Sequence, residues 1–314
     1  NVSVDFKKNI QRSRDISNRL SKGIEFLMKK NKITHITGIG KLTSKTSLEV
    51  KNKQKTDTIE AEKIILATGA RPKSFPGMEF DGNRVISFKE AMILDSPPKK
   101  MIIIGSGAIG SEFAYYYNEF GTEVHMIEML DRILPIEDAD VSKEVEKSFK
   151  KSSIKISTGT KVSKIESLKT KVKVHTERNG KKEILEGDLA LLAVGVTGNI
   201  EYLGLEELGI ETNVGTININ EFNQTNIPNI FAIGDVSGPP WLAHVASAQG
   251  HVAADYIGGH SPKPVDYSNI PSCTYCQPQV GSLGMTEAQA KDAGYDVKVG
   301  KFLFQASGKA MAVG

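Results

Sequence analysis

The chain has 314 residues, with 40 Lys plus Arg against 37 Asp plus Glu, a formal charge of +3, and 39% apolar against 25% charged residues. That balance excludes disorder and collagen-like structure and is enough for globular domains with substantial cores. No apolar run approaches the ~18 to 20 residues of a membrane-spanning helix, residues 1–15 are too polar for a secretory signal, and the lysines, densest over residues 7–63, alternate with acids as on a solvated face rather than a nucleic-acid surface.

From residue 4 to about 30, Ile10, Ile16, Leu20, Ile24 and Leu27 recur at helical spacing, which predicts one long amphipathic helix followed by a strand at 33–36. The period then changes to two at 47–51 and 58–61, and the apolar run 63–67 ends in Thr68-Gly69-Ala70. Residues 71–98 are a proline-bearing connection with a short helix near 88–94. Next come a buried strand at 100–104, the glycine turn 105–110, a helix to Phe120 and a strand at 123–128, the span of one βαβ module. Asp138 or Asp140 caps a helix that presents Val141, Val145 and Phe149 on one face. An antiparallel meander is predicted from 161–165, 171–176 and 183–185, with a hairpin turn at Asn179-Gly180. Buried strands at 189–194 and 229–233 end at Gly195 and Gly234-Asp235; an alanine-rich helix spans 241–257, another helix 286–293, and a strand 297–304.

The turn Gly105-Ser106-Gly107-Ala108-Ile109-Gly110 carries the clearest chemistry. Its first glycine permits the tight bend, its second lets the backbone approach a pyrophosphate, and its third lets helix and strand pack closely, while the helix amino end adds partial positive charge. Glu128 closes the next strand 18 residues after Gly110, where a ribose 2′-hydroxyl is bonded. A carboxylate there repels a 2′-phosphate and favours NAD over NADP, although Arg132 is near in sequence. Asp235, at a strand end after Gly234, is placed to accept from sugar or ribityl hydroxyls, and Thr68-Gly69 to bring backbone close to a ligand.

These stretches, IILATGARP (64–72), MIIIGSGAIGSEFA (101–114), EVHMIEMLDRILP (123–135), YLGLEELGIE (202–211), TNIPNIFAIGDV (225–236), WLAHVASAQG (241–250) and IPSCTYCQPQVGSLGMTE (270–287), together resemble the two-dinucleotide flavoprotein disulfide reductases, and within them the dihydrolipoamide dehydrogenases. The resemblance spans the chain in order. It implies an α/β fold of two Rossmann-like domains, for FAD and NAD, with a three-layer ββα arrangement, plus the start of an α+β dimerisation domain. The implied units are residues 1–70 (flavin), 71–197 (NAD), 198–265 (return to the flavin domain) and 266–314 (interface).

By position, the resemblance implies that Gly105, Ser106, Gly107, Ala108, Ile109, Gly110, Ser111 and Glu112 line the NAD pyrophosphate and nicotinamide approach, with Glu128 at the adenosine ribose and Val162 and Gly195 on the far side. FAD would meet Gly40, Thr68, Gly69, Ala70, Asp235 at its ribityl chain, and Trp241, Leu242, Ala243 and His244 beside the flavin ring. Two departures stand out: Gly195-Val196-Thr197-Gly198-Asn199 replaces the usual Gly-Arg-x-Pro-Asn, and Trp241 replaces a Met. The implied reaction is FAD-dependent oxidation of protein-bound dihydrolipoamide with hydride transfer to NAD. The partners would be lipoyl domains of 2-oxoacid dehydrogenase or glycine-cleavage complexes and a second copy of the chain, with neither nucleic acid nor membrane, in the bacterial cytoplasm or the mitochondrial matrix. A related mercuric or glutathione-type reductase, a transhydrogenase, or a catalytically incomplete nucleotide-binding module shares most of the motifs.

Two cysteines are too few for a disulfide framework and suit a reducing compartment. Cys273-Thr-Tyr-Cys276 has redox-pair spacing, but it follows the second flavin motif, where the resemblance places an interface strand, so a buried packing role is expected. The family's reactive Cys-x4-Cys, its FAD phosphate turn and its His-Glu pair do not occur in the 314 residues. The resemblance therefore predicts the middle of a longer protein, and no catalytic or metal-binding residue is assigned.

Overall fold

The computed structural model describes residues 4–313. Helix α1 (Phe6–Lys30) begins at Asp5, whose carboxylate accepts from the Lys8 amide at 3.0 Å, the usual N-cap device. Its first turn is anchored, with Phe6 edge-on to Phe120 at 4.9 Å between ring centroids. Its later apolar residues Leu20, Ile24 and Leu27 are exposed. The strand expected at 33–36 does not form: those residues are irregular, Ile33 and Ile36 are exposed, and no described strand pairs with them.

Strands β1 (Ile39–Leu42), β2 (Ser47–Lys51) and β3 (Thr56–Glu60) make an antiparallel meander, and β4 (Ile64–Leu66) follows. After β5 (Ala70–Pro72), the 71–98 connection contains a fully buried strand that its prolines conceal, β6 (Val85–Ile86), and a one-turn helix α2 (Phe88–Ala91) with a Ser87/Glu90 capping box.

The central module is β7 (Lys100–Ile104), α3 (Ala108–Glu119), β8 (Glu123–Ile127), α4 (Ala139–Lys151) and β9 (Lys155–Ser157). The meander β10 (Lys161–Ser167), β11 (Val172–Arg178) and β12 (Lys181–Gly187) comes next, its last hairpin closed by Asn179 and Gly180, both at positive φ as a type I′ turn requires. It is followed by β13 (Leu189–Leu192). Strands β6, β13, β7, β8 and β9 form, in that order, one parallel sheet buried on both faces. Alternation along β7 divides its side chains: Met101 and Ile103 pack with Ala114, Tyr117, Val145 and Phe149 of the helices, and Ile102 and Ile104 with Val162, Val172 and Val174 of the meander. Meander, sheet and helices are the three layers expected.

Strand β14 (Val196–Gly198) runs antiparallel to β5, pairing Val196 with Pro72 and Gly198 with Ala70. The chain thus enters and leaves the module through one two-stranded ribbon, over which the Arg71 guanidinium reaches Glu201 and the Gly198 carbonyl. Beyond the small hairpin of β15 (Thr212–Asn213) and β16 (Thr216–Ile217), β17 (Ile230–Ala232) lies parallel to β4, and Ile64, Leu66, Ile230 and Ala232 share a core with Leu205, Ile210, Ile217 and Ile227. Helix α5 (Ala243–Ile257) follows.

The last unit opens with the hairpin β18 (Ser272–Thr274) and β19 (Val280–Ser282), which docks on the central module: Cys276 and Val280 join its helix-side core. Three carboxylates hold it, Glu112 accepting from the Tyr275 amide at 2.8 Å, Glu137 from the Ser282 hydroxyl at 3.2 Å and Asp138 from the Glu287 amide at 2.9 Å. Asp138 is the N-cap residue of α4 but leaves that cap unmade, its side chain serving instead the start of α6 (Glu287–Asp292). The strand expected at 297–304 is absent; Val299, Phe302, Leu303 and Phe304 are exposed. The chain closes with α7 (Gly308–Val313).

Candidate dinucleotide site

The glycine turn joins β7 to α3 at the carboxyl end of the parallel sheet, where open α/β sheets bind ligands. Gly105 has φ +96°, and a Cβ on it would lie 2.3 Å from the Ala193 carbonyl oxygen of the neighbouring strand end. A Cβ on Gly110 would lie 2.0 Å from the Gly105 carbonyl oxygen. Packing therefore demands both glycines. Gly107 differs, since nothing lies within 4 Å of its Cβ position and it is the N-cap of α3 with no side chain bonded to the helix amides. An open cradle at an uncapped helix amino end suits a pyrophosphate.

Around the turn, Ala108 and Ile109 are half-buried, and Ser106 and Ser111 are fully buried. The Ser111 hydroxyl donates to the Ser106 carbonyl at 3.1 Å. Glu128, at the end of β8, is brought to the turn but turned inward: its carboxylate accepts from the Ser106 amide (2.9 Å), the Ser106 hydroxyl (2.7 Å) and the Leu130 amide (2.9 Å). Gly195, at φ +100°, follows β13 beside the turn. Val162 packs beneath it with Ile104 and Ile127. The Glu112 carboxylate, expected at the nicotinamide approach, bonds the interface hairpin.

Of the residues expected at FAD, Thr68, Gly69, Ala70 and Asp235 lie just beyond the ends of β4 and β17. Gly69 and Gly234 both have φ +70°, and Thr68 is tied to Asn199 by two bonds of 2.9 Å. Asp235 is half-buried in the turn Gly234–Ser237. Gly40 lies in β1 opposite Val50, and Ala70 opens the ribbon. Trp241 is 43% exposed, Leu242 is the N-cap of α5, Ala243 begins it, and His244 bonds the Pro271 carbonyl at 3.0 Å. Gln249, which sequence reasoning missed, organises this end: it is 3% exposed, accepts from the Gly234 amide at 2.6 Å and donates to the Tyr267 hydroxyl at 2.8 Å. A lone amide on the buried stripe of an alanine-rich helix was the available signal.

The cysteines separate. Cys276 is buried, its thiol donates to the Pro278 carbonyl at 3.2 Å, and burial, with a contribution from the Glu112 charge, pushes its pKa up to about 11. The packing role expected for both holds for Cys276 alone, because Cys273 is exposed; both are free thiols. Among the described residues no group of His, Cys, Asp or Glu is arranged to hold a metal, and no helix is long and apolar enough to cross a membrane.

The doubly covered parallel sheet with its glycine turn, joined through a ribbon to a second glycine-ended parallel pair, defines a dinucleotide-binding α/β protein of the two-Rossmann class. The chain belongs to the pyridine nucleotide-disulphide oxidoreductase family, whose model matches residues 2–250, with that family's dimerisation domain at residues 270–314. This family uses FAD and NAD. Dihydrolipoyl dehydrogenase of Rhizobium etli is 43% identical over 100% of this chain and 69% of its own length, and that of Bacillus subtilis is 40% identical over 100% and 68%. Among solved structures, the HOCl-induced flavoprotein disulfide reductase RclA of Escherichia coli matches with a TM-score of 0.89 at 28% identity, over 99% of this chain and 71% of that one. LpdA of Mycobacterium tuberculosis, at 24% identity and a TM-score of 0.92 over 99% and 69%, shares the fold.

Proposed function

We propose that the chain provides the nucleotide-binding part of a dihydrolipoyl dehydrogenase, an enzyme that oxidises protein-bound dihydrolipoamide and passes hydride to NAD. The observation that carries this reading is the built NAD cradle, Gly105 to Gly110 with Glu128, in a chain 40–43% identical along its length to dihydrolipoyl dehydrogenases. The open face at Gly107 and the α3 amides would receive the pyrophosphate, and Glu128 would accept from a ribose hydroxyl and repel a 2′-phosphate. Asp235 would accept from the ribityl chain of FAD, with Thr68 to Ala70 beside it and Trp241 to His244 along the ring. FAD, when bound, supplies two-electron transfer between a dithiol and the nicotinamide. The protein's task is to hold the two dinucleotides in register and keep water from their meeting point. Cys273 and Cys276 do not fit the dithiol, because the Cys276 thiol is buried and held protonated.

Residues 1–70 and 198–265 are assigned to the flavin unit, 71–197 to the NAD unit and 266–314 to the interface unit; the ribbon at 70–72 and 196–198 supports these divisions. The dimerisation-domain match supports a homodimer, and lipoyl domains are the proposed protein substrates. The bacterial relatives favour the cytoplasm over the mitochondrial matrix. Titration of the purified protein with NADH and NADPH, with flavin absorbance followed throughout, tests the reading. NADH should bind in preference and bleach any flavin present; protein that holds neither flavin nor NADH would refute it.

A further inference from the structure

Every polar atom of Ser106 is engaged. Its amide and hydroxyl both donate to Oε2 of Glu128, at 2.9 and 2.7 Å, and its carbonyl accepts from the Ser111 hydroxyl at 3.1 Å and the Leu134 amide at 2.9 Å. The Leu130 amide meets Oε1 of Glu128 at 2.9 Å. Ser106 is fully buried and Glu128 only 8% exposed. A carboxylate offers about four acceptor positions, so Oε2 is filled and Oε1 keeps one.

We propose that Ser106 is a positioning and specificity-determining residue for the nicotinamide nucleotide: by filling Oε2 it fixes the Glu128 carboxylate at the strand end, leaving Oε1 to accept one ribose hydroxyl. This rests on the NAD reading above and extends it to a residue whose polar atoms are all bonded within the protein. A ribose 2′-hydroxyl has a proton to give to the remaining position. A 2′-phosphate brings added negative charge against a carboxylate that three donors prevent from turning away. Without the Ser106 hydroxyl, the carboxylate gains rotational freedom and can swing from the adenosine side, so the cost falls on NADH and the penalty against NADPH is relaxed.

The test measures NADH and NADPH affinities by fluorescence titration, and unfolding midpoints, for the full chain and for Ser106→Ala, Ser106→Gly, Glu128→Ala and the Ser106→Ala/Glu128→Ala double variant. The wild-type chain should prefer NADH. Ser106→Ala and Ser106→Gly should lower the NADH-to-NADPH affinity ratio about tenfold, the low end of what one hydrogen bond to a charged group is worth. In the Glu128→Ala background the Ser106 change should move the ratio less than about twofold, because the group it positions is gone. A ratio unchanged in both Ser106 variants, or an equal fall with Glu128 already removed, would overturn the proposal. Loss of the folded state in both would also overturn it, making Ser106 structural. Wild-type protein that binds neither nucleotide would instead remove the NAD reading on which the proposal stands.

Discussion

The three glycines of the turn are required for different reasons, and the difference is measurable. In Gly107→Ala the new methyl meets no atom within 4 Å, so the native fold accepts it without displacement. Alanine is a poorer N-cap than glycine, yet it reduces the freedom of the unfolded chain; the two effects are each about 0.5–1 kcal/mol and opposed, leaving stability within about 1 kcal/mol of wild type. The methyl occupies the space through which a pyrophosphate reaches the α3 amides, so NADH affinity should fall at least tenfold, about 1.4 kcal/mol. In Gly110→Ala the methyl lies 2.0 Å from the Gly105 carbonyl oxygen, about 1.4 Å short of the 3.4 Å at which ordinary contact begins. Backbone must move, and α3 must lift from β7, loosening Ala114 and Tyr117 against Ile103. Alanine's helix propensity returns up to about 1 kcal/mol, and overpacking of this severity costs about 3 kcal/mol or more. Urea unfolding and NADH titration of both variants form the assay: Gly107→Ala should lose binding and keep its midpoint, Gly110→Ala should lose both. Wild-type NADH affinity in Gly107→Ala would refute the assignment of the open face to the pyrophosphate.

Other outcomes follow from the same coordinates. At pH 8 a Cys276 pKa of about 11 leaves about one thiol in a thousand ionised, so iodoacetamide and peptide mapping should label Cys273 on the folded protein and reach Cys276 only after unfolding. Gln249→Leu leaves the half-buried Gly234 amide and the exposed Tyr267 hydroxyl without their partner, and should destabilise by about 1–2 kcal/mol and reduce flavin per chain in the absorbance spectrum; undiminished flavin content would contradict its role in organising the Gly234 turn. The Asp81 carboxylate accepts from the amides of Asn83, Arg84 and Val85 at 2.7–2.8 Å. Its partial burial alone would raise its pKa, but the Ser167 hydroxyl and these amides outweigh that and hold it below 3.8. Its contribution is therefore present above pH 3.8 and lost as pH falls through the lowered native value. Asp81→Ala should cost about 1 kcal/mol at pH 7, small because the residue is exposed, with the difference from wild type narrowing below pH 3.8 in urea unfolding curves.

What the sequence made legible was local. The turn at 105–110, the hairpin at Asn179-Gly180 and the buried strand at 100–104 all follow from neighbours within a few residues, and the structure has them where the apolar run and turn chemistry placed them. The failures share a cause. Residues 33–36 and 297–304 carry apolar character, but a strand needs a partner, and no described strand offers one. The buried strand Val85–Ile86 is two residues long, too short for any period, and is set by its register against Ala190 and Leu191 more than a hundred residues away. At the site, the family resemblance pointed to Glu112 as a nucleotide contact, and capping chemistry to Asp138 or Asp140 as a helix cap. The Glu112 carboxylate also accepts from the Tyr275 amide, and the Asp138 carboxylate accepts from the Glu287 amide in place of its own helix, partners that only the tertiary fold brings near. The glycines were found because their chemistry is intrinsic to the turn; Gln249 was missed because its importance lies in what surrounds it.

The ribbon of β5 and β14 has a bearing on how the molecule could be taken apart. Because the strands that lead into and out of the central module are hydrogen-bonded neighbours, that module has the topology of a cassette whose two ends already meet. Such a cassette can be excised at residues 70 and 198 and rejoined, or moved into another host, without any new span to bridge, and only a small loop-closure entropy opposes it. What its removal would uncover is equally defined: the helix-side face now covered by Phe6, Cys276 and Val280 would become an apolar patch. A transplanted cassette therefore needs polar replacements on the partners of those three residues, and its neighbours in this chain act as its cover as well as its companions.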